Sequence, residues 1–223
     1  MILADQAGGG TFVDAFRFMG DNLHLLLTKT VEHLELSLVA LTIAIVLALP
    51  LALWLGHRRR GFLFAATVAN FGRALPSIVL IAFGLTIFGV GFWNNTAALV
   101  VLAVPPILMN TYFGVVGVDP DIVEAARGMG LSETQILRQV ELPLGLPLIV
   151  AGIRIAAIFV IATATIAAVA GGGGLGEIIV NQASYGLAGV VAASLWVSAL
   201  AFLAAGLLAL VLRWASPRQG PAT

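Results

Sequence analysis

The chain has no cysteine, two tyrosines and three histidines, and its 223 residues carry only 11 basic and 11 acidic side chains. Without cysteine there are no disulfides, no thiol nucleophile and no cysteine-ligated zinc or iron–sulfur centre, and the redox compartment leaves no trace. Sparse, balanced charge offers no broad basic face for nucleic acid. His24, His33 and His57 are scattered, without carboxylates at metal-ligand spacing beside them, so no metal site is expected. No Ser, His, Asp or Glu pair stands at catalytic spacing near a membrane interface, which argues against a membrane enzyme. The long apolar segments contain no carboxylate or proton relay, and no inverted repeat is visible, which argues against an ion-coupled secondary transporter. The first residues, MILADQAGGGTFVDAF, lack the basic start, apolar run and small-residue cleavage pattern of a removable signal. The first spanning segment is therefore expected to direct insertion itself.

Apolar residues, by contrast, are abundant: 60% of the chain is hydrophobic and 10% charged. That leaves too little polar surface to cover a soluble globule, so lipid is the better solvent. A helix crossing the hydrocarbon needs roughly 20 apolar residues. Five uncharged runs qualify: Leu36 to Leu55, Leu75 to Phe92, Thr96 to Val118, Ile155 to Ala170 with its flanks, and Leu187 to Leu212. Phe62 to Phe71 is too short to span alone and reads as an extension of the second; counting it separately gives a six-span alternative. Lys and Arg near span ends are retained on the cytoplasmic side. With five spans, Arg58, Arg59, Arg60, Arg73, Arg127, Arg138, Arg154, Arg213 and Arg218 share one side and leave only Arg17 and Lys29 opposite. Six spans would spoil this partition. The expected fold is an all-α, polytopic transmembrane helical bundle of about five spans, N-terminus outside and C-terminus cytoplasmic, in the cell (inner) membrane.

The charged stretch DPDIVEAARGMGLSETQILRQVELPLGLP is built unlike a linker. Asp119 before Pro120 offers an N-cap and an N1 proline, and Gly128 and Gly130 supply a stop. Ser132 with Gln135 makes a capping box, and Leu142-Pro143 is expected to end the second helix. The prediction is a short helix, a glycine turn and another short helix. Small Ala125 and Ala126 would admit a partner surface, and Ile136 and Val140 form an apolar stripe four residues apart, so the loop reads as a docking element.

Glu124-Ala125-Ala126, three residues, Gly130, nine residues, Val140, one residue, Leu142-Pro143 resembles the EAA signature of binding-protein-dependent ABC importer permeases, written E-A-A, three, G, nine, I, one, L-P. The one departure is Val140 in place of Ile. The resemblance implies a cytoplasmic loop of coupling helices seated in a groove of a separate ATPase subunit. Glu124, Ala125, Ala126, Met129, Gly130, Leu131, Val140, Leu142 and Pro143 would then be the coupling residues. It also implies that this chain binds no cofactor, ATP and magnesium being held by the ATPase. The implied partners are two ATPase subunits, a second permease subunit, identical or homologous, an extracytoplasmic binding protein and the bilayer. Because the sequence ends at Thr223, that binding protein is expected to be a separate chain. The segments would be 1–30, extracytoplasmic or interfacial; 31–214, the permease domain, with its coupling loop at 119–147; and 215–223, a cytoplasmic tail.

Arg73-Ala74-Leu75-Pro76-Ser77, Val104-Pro105-Pro106-Ile107 with Asn110-Thr111-Tyr112, and Gly171-Gly172-Gly173-Gly174-Leu175-Gly176-Glu177 are similar to the osmoprotectant permeases, which import glycine betaine, choline, carnitine or proline betaine. Permeases for methionine or another amino acid share the plan and stand as the alternative. Asn70, Arg73, Pro76, Ser77, Asn110 and Tyr112 are candidates for a substrate pathway or gate, although Asn110 and Tyr112 could equally hydrogen-bond between helices. The glycine run lacks a following Lys-Ser or Lys-Thr and a preceding strand, so it reads as an extracytoplasmic turn rather than a phosphate loop, with Glu177 as a candidate binding-protein contact. Trp54, Trp93, Trp196 and Trp214 read as an aromatic belt.

Overall fold

The computed structural model describes residues 10–215. Arg218 and nearly all of the anticipated tail at 215–223 lie outside the described residues, as does the side chain of Arg73. Among the described residues the chain is helical and has no strand. In order come α1 (Gly10–Asp21), α2 (Leu23–His57), α3 (Phe62–Ala74), α4 (Ser77–Phe88), α5 (Phe92–Val116), α6 (Pro120–Gly128), α7 (Glu133–Ile136), a π turn (Leu137–Glu141), α8 (Leu142–Ala167), a 3-10 turn (Ala168–Ala170), α9 (Leu175–Val180) and α10 (Gln182–Ala215).

Four helical stretches are long and apolar enough to cross a membrane: Leu23–His57, Phe92–Val116, Glu133–Ala170 and Gln182–Leu210. The pair Phe62–Gly72 and Ser77–Phe88 makes a fifth span if its two bent halves count as one. The run Phe62 to Phe71 therefore does not simply lengthen the second span. Leu75 (φ −83, ψ 120) and Pro76 (φ −60, ψ 132) are both extended, because a proline disfavours helical geometry in the residue before it.

The long helices also run past the charge-free stretches that announce them. α2 begins at Leu23 rather than Leu36 and contains 35 residues, about 52 Å of helix against roughly 30 Å of hydrocarbon. It crosses the expected boundary at residue 30 without a break. Of its early charges, Lys29 and Glu32 are paired, Lys29 Nζ lying 3.0 Å from Glu32 Oε2 and 2.6 Å from Glu177 Oε2, and Glu35 is exposed.

The described residues form two compact units. The first takes residues 10–41, 76–100 and 158–203, the second 42–75, 101–157 and 204–215. In the first, one turn of α2 is the hub. Glu32 Oε2 accepts the Gly174 amide at 2.9 Å, His33 Nε2 donates to Ile161 O at 2.9 Å, and Thr30 Oγ1 accepts from Trp196 Nε1 at 2.9 Å. Trp196 is thus engaged inside this unit, Trp54 and Trp93 are more than half exposed, and the side chain of Trp214 lies outside the described residues. The glycine run forms the expected turn, with Gly171, Gly173 and Gly174 at positive φ.

The second unit is tied by backbone proximity. A Cβ added at Gly145 of α8 would lie 2.7 Å from the Gly114 carbonyl oxygen of α5, and one added at Gly114 would lie 2.8 Å from the Gly145 oxygen. Only hydrogen side chains at both positions allow these helices to touch main chain to main chain.

Candidate coupling site

The loop after α5 is ordered by local signals. Asp119 Oδ1 accepts the Asp121 amide at 2.9 Å, capping α6, with Pro120 at the first helical position. The helix closes in a Schellman motif: Gly130 N donates to Arg127 O at 3.0 Å and Leu131 N to Ala126 O at 3.2 Å. Gly130 holds φ +87, and a Cβ there would meet nothing within 4 Å. Glycine is required at this point by backbone conformation rather than by space. α7 opens on the capping box, Ser132 N donating to Gln135 Oε1 at 2.8 Å and Gln135 N to Ser132 Oγ at 3.4 Å.

The expected stop at Leu142-Pro143 is not there. α7 passes through the π turn into α8, and residues Glu133–Ala170 form one continuous helical stretch. Pro143 has no N–H to give, and in α geometry its ring would meet the carbonyl four residues earlier. Widening one turn, so that Leu142 N bonds Leu137 O, absorbs the proline and lets the helix continue.

Val118, Val123, Ala126 and Ile136 form a small buried core, with Leu131 and Val140 packed against it. Ala126 is 2% exposed and Ile136 fully buried, so the small residue and the apolar stripe close the two helices on each other rather than facing outward. Glu124, Ala125, Met129 and Gly130 are exposed, Met129 by 75%. Leu142 and Pro143 are half-buried. Arg127 bridges the two helices, its Nε donating to Glu133 Oε1 at 3.0 Å and its second nitrogen to Glu133 Oε2 at 3.2 Å. The Glu133 carboxylate beside it raises the Arg127 guanidinium above its ordinary range.

Two further residues hold this loop, and their motif context gave no sign of it. Nδ1 of His57, the last residue of α2, lies 2.6 Å from Oε2 of Glu141, and its Nε2 lies 3.3 Å from Glu133 Oε2. Glu141 is 1% exposed. Arg59 donates to Val118 O at 3.1 Å, just where the loop leaves α5. The HRRR run thus braces the loop. The one available signal was a lone carboxylate, Glu141, between the apolar Val140 and Leu142.

The pathway candidates have separate local settings. Asn110 donates its amide to Pro106 O of its own helix at 2.8 Å. Tyr112, 4% exposed, packs among the rings of Phe62 and Phe113 at centroid distances of 6.3 and 5.8 Å. Asn70 is exposed on α3, and Pro76 and Ser77 sit at the break before α4.

Residues 32–218 match the family described as binding-protein-dependent transport system inner membrane component. The glycine betaine/carnitine/choline transport system permease protein OpuCB of Bacillus subtilis (strain 168) is 40% identical over 162 residues, 73% of this chain and 75% of that protein. The osmoprotectant import permease protein OsmW of Salmonella typhimurium is 34% identical over 212 residues, 91% of this chain and 93% of that one. Among solved structures, an inward-facing form of the MetNI methionine ABC transporter superposes with a TM-score of 0.76 at 24% identity, covering 87% of this chain and 98% of that chain. That likeness concerns the fold. A family match over most of the chain, with two permease relatives above 30% identity, makes this protein a member of the binding-protein-dependent transport system inner membrane components.

Proposed function

We propose that this chain is the membrane-spanning permease subunit of an ATP-driven importer of osmoprotectant quaternary amines such as glycine betaine, choline and carnitine. The observation that carries the substrate class is the 40% identity with OpuCB across three quarters of both chains. In this reading the N-terminus is outside, the loop at 119–147 and the C-terminal tail are cytoplasmic, and residues 31–214 form the permease domain. ATP is bound and hydrolysed on a pair of partner subunits, a second permease chain completes the pathway, and a binding protein delivers solute from outside.

The loop geometry supports a mechanical role. α6 and α7 share a core, two caps and a bidentate ion pair, so they respond to a push as one piece. Glu124, Ala125, Met129 and Gly130 form the outward contact surface for the ATPase. Because α7 runs into α8 without a break, displacement of the loop turns a long helix directly, and alternating access follows from levering it. For the pathway, the favoured groups are Asn70 and the Pro76–Ser77 break with neighbouring Arg73, since Asn110 and Tyr112 are already engaged.

The test is uptake by the complex reconstituted in vesicles with its ATPase and binding protein. ATP-dependent uptake of labelled glycine betaine or choline, competed by unlabelled carnitine and indifferent to methionine, is expected. Uptake of methionine in preference to every quaternary amine overturns the substrate class, and uptake without the ATPase overturns the mechanism.

A further inference from the structure

Four charged or ionisable side chains, each on a different element of the second unit, lie in series: Arg127 in the last turn of α6, Glu133 at the start of α7, His57 at the end of α2 and Glu141 at the end of the π turn. The contacts are unequal. Arg127 and Glu133 have side chains 53% and 59% exposed, where an ion pair is screened and weak. The His57 imidazole is 13% exposed and the Glu141 side chain 2%. A carboxylate so enclosed cannot be left without a partner except at high cost.

The small apolar core already holds α6 and α7 together without His57. What the imidazole adds is a side-chain link from that pair to α2, strong at the π turn and weak at α7. We propose that His57 is a positioning residue for transmission, clamping the end of α2 to the base of α8 through Glu141 while its weaker contact with Glu133 registers displacement of the coupling helices. Two long helices then move together when the loop is pushed. The inference rests on the loop's role as the ATPase-coupling element, and it adds a residue outside that loop which sets how much of each ATPase stroke reaches the membrane helices.

The experiment measures solute transported per ATP hydrolysed by the reconstituted complex, a ratio that expression level does not enter, together with the amount of ATPase co-purifying. His57→Ala, which removes both contacts, is expected to lower the ratio by about tenfold, Glu141→Ala, which removes only the stronger one, by less, and the double variant no further than His57→Ala alone. His57→Lys, which keeps a donor able to reach both carboxylates, is expected to recover most of the ratio. Should His57→Ala fail to assemble, His57→Asn keeps a donor at the Nδ1 position and loses the one facing Glu133, with an expected fall of about threefold. A wild-type ratio in the assembled His57 variants overturns the proposal, as do additive losses in the double variant. If the wild-type complex hydrolyses ATP but moves no solute of any class, the functional reading falls and this inference with it.

Discussion

Replacing Gly145 by alanine is the smallest change that tests how the second unit is held together. The added methyl carbon would lie 2.7 Å from the Gly114 carbonyl oxygen and 2.8 Å from its carbonyl carbon. Both are backbone atoms, so no rotamer change relieves the contact, and α5 and α8 must separate by at least about 0.3 Å to reach even a tight approach. Overpacking of this kind costs about 1–3 kcal/mol. Gly114→Ala demands the same separation from the other side, so the double variant is expected to fall short of the sum of the singles by more than about 0.5 kcal/mol. Gly206 on α10 supplies the control, since a Cβ there meets nothing within 4 Å, and alanine should be neutral or slightly stabilising through its better helix propensity. The assay is thermal unfolding of the detergent-solubilised protein, followed by helical signal and by retention of a monodisperse peak. Gly145→Ala is expected to unfold several degrees below wild type and Gly206→Ala at or above it. If Gly145→Ala behaves like Gly206→Ala, the close crossing of α5 and α8 is not what holds this unit.

Gly130→Asp places a charged side chain on the exposed face of the coupling turn, where there is room but the wrong φ. It is expected to reach the membrane in normal amounts, at a cost of about 1 kcal/mol, and to lose co-purification with the ATPase. Retention of a stoichiometric ATPase would remove Gly130 from the contact surface. At the other unit, Glu32→Ala deletes the carboxylate that accepts the Gly174 amide and pairs with Lys29. Hydrogen exchange at Gly174 should accelerate about tenfold, corresponding to the roughly 1.5 kcal/mol of a partly exposed charge-assisted bond. Unchanged protection there would mean that the glycine turn is held by its own backbone alone.

How far the sequence announces this structure depends on whether a feature is local. The apolar runs stand out because nothing but lipid accommodates them, and the starts of α6 and α7 are legible because Asp119, Pro120, Ser132 and Gln135 act within one helical turn. The ends of the long helices are not: the charge-free segment of α2 stops at Glu35, while the helix continues back past Glu32 and Lys29, whose charges are satisfied by the glycine turn and by Glu177, nearly 150 residues away. Pro143 misled for a related reason. A proline is a stop only where the helix cannot widen, and the π turn that accommodates it depends on neighbouring packing. The contact between His57 and Glu141 spans 84 residues of sequence and leaves no periodic trace at either end.

These two failures of local reading bear on the same mechanical question. Under the proposed coupling role, α6 and α7 would hang on a flexible joint had α7 ended at Leu142-Pro143, and a push from the ATPase would be absorbed before reaching the membrane. Continuity from Glu133 to Ala170 removes that joint, but a single helix levered at its tip can also slide past its neighbours. Holding α2 to the π turn through a buried carboxylate, and α5 to α8 through paired glycines, restrains that slide at two levels of the second unit. The substitution of Val140 for the more usual isoleucine fits the same scheme. Val140 is half-buried against the loop's own core, where the loss of one methylene alters packing between the coupling helices and leaves the surface presented by Glu124, Ala125, Met129 and Gly130 untouched.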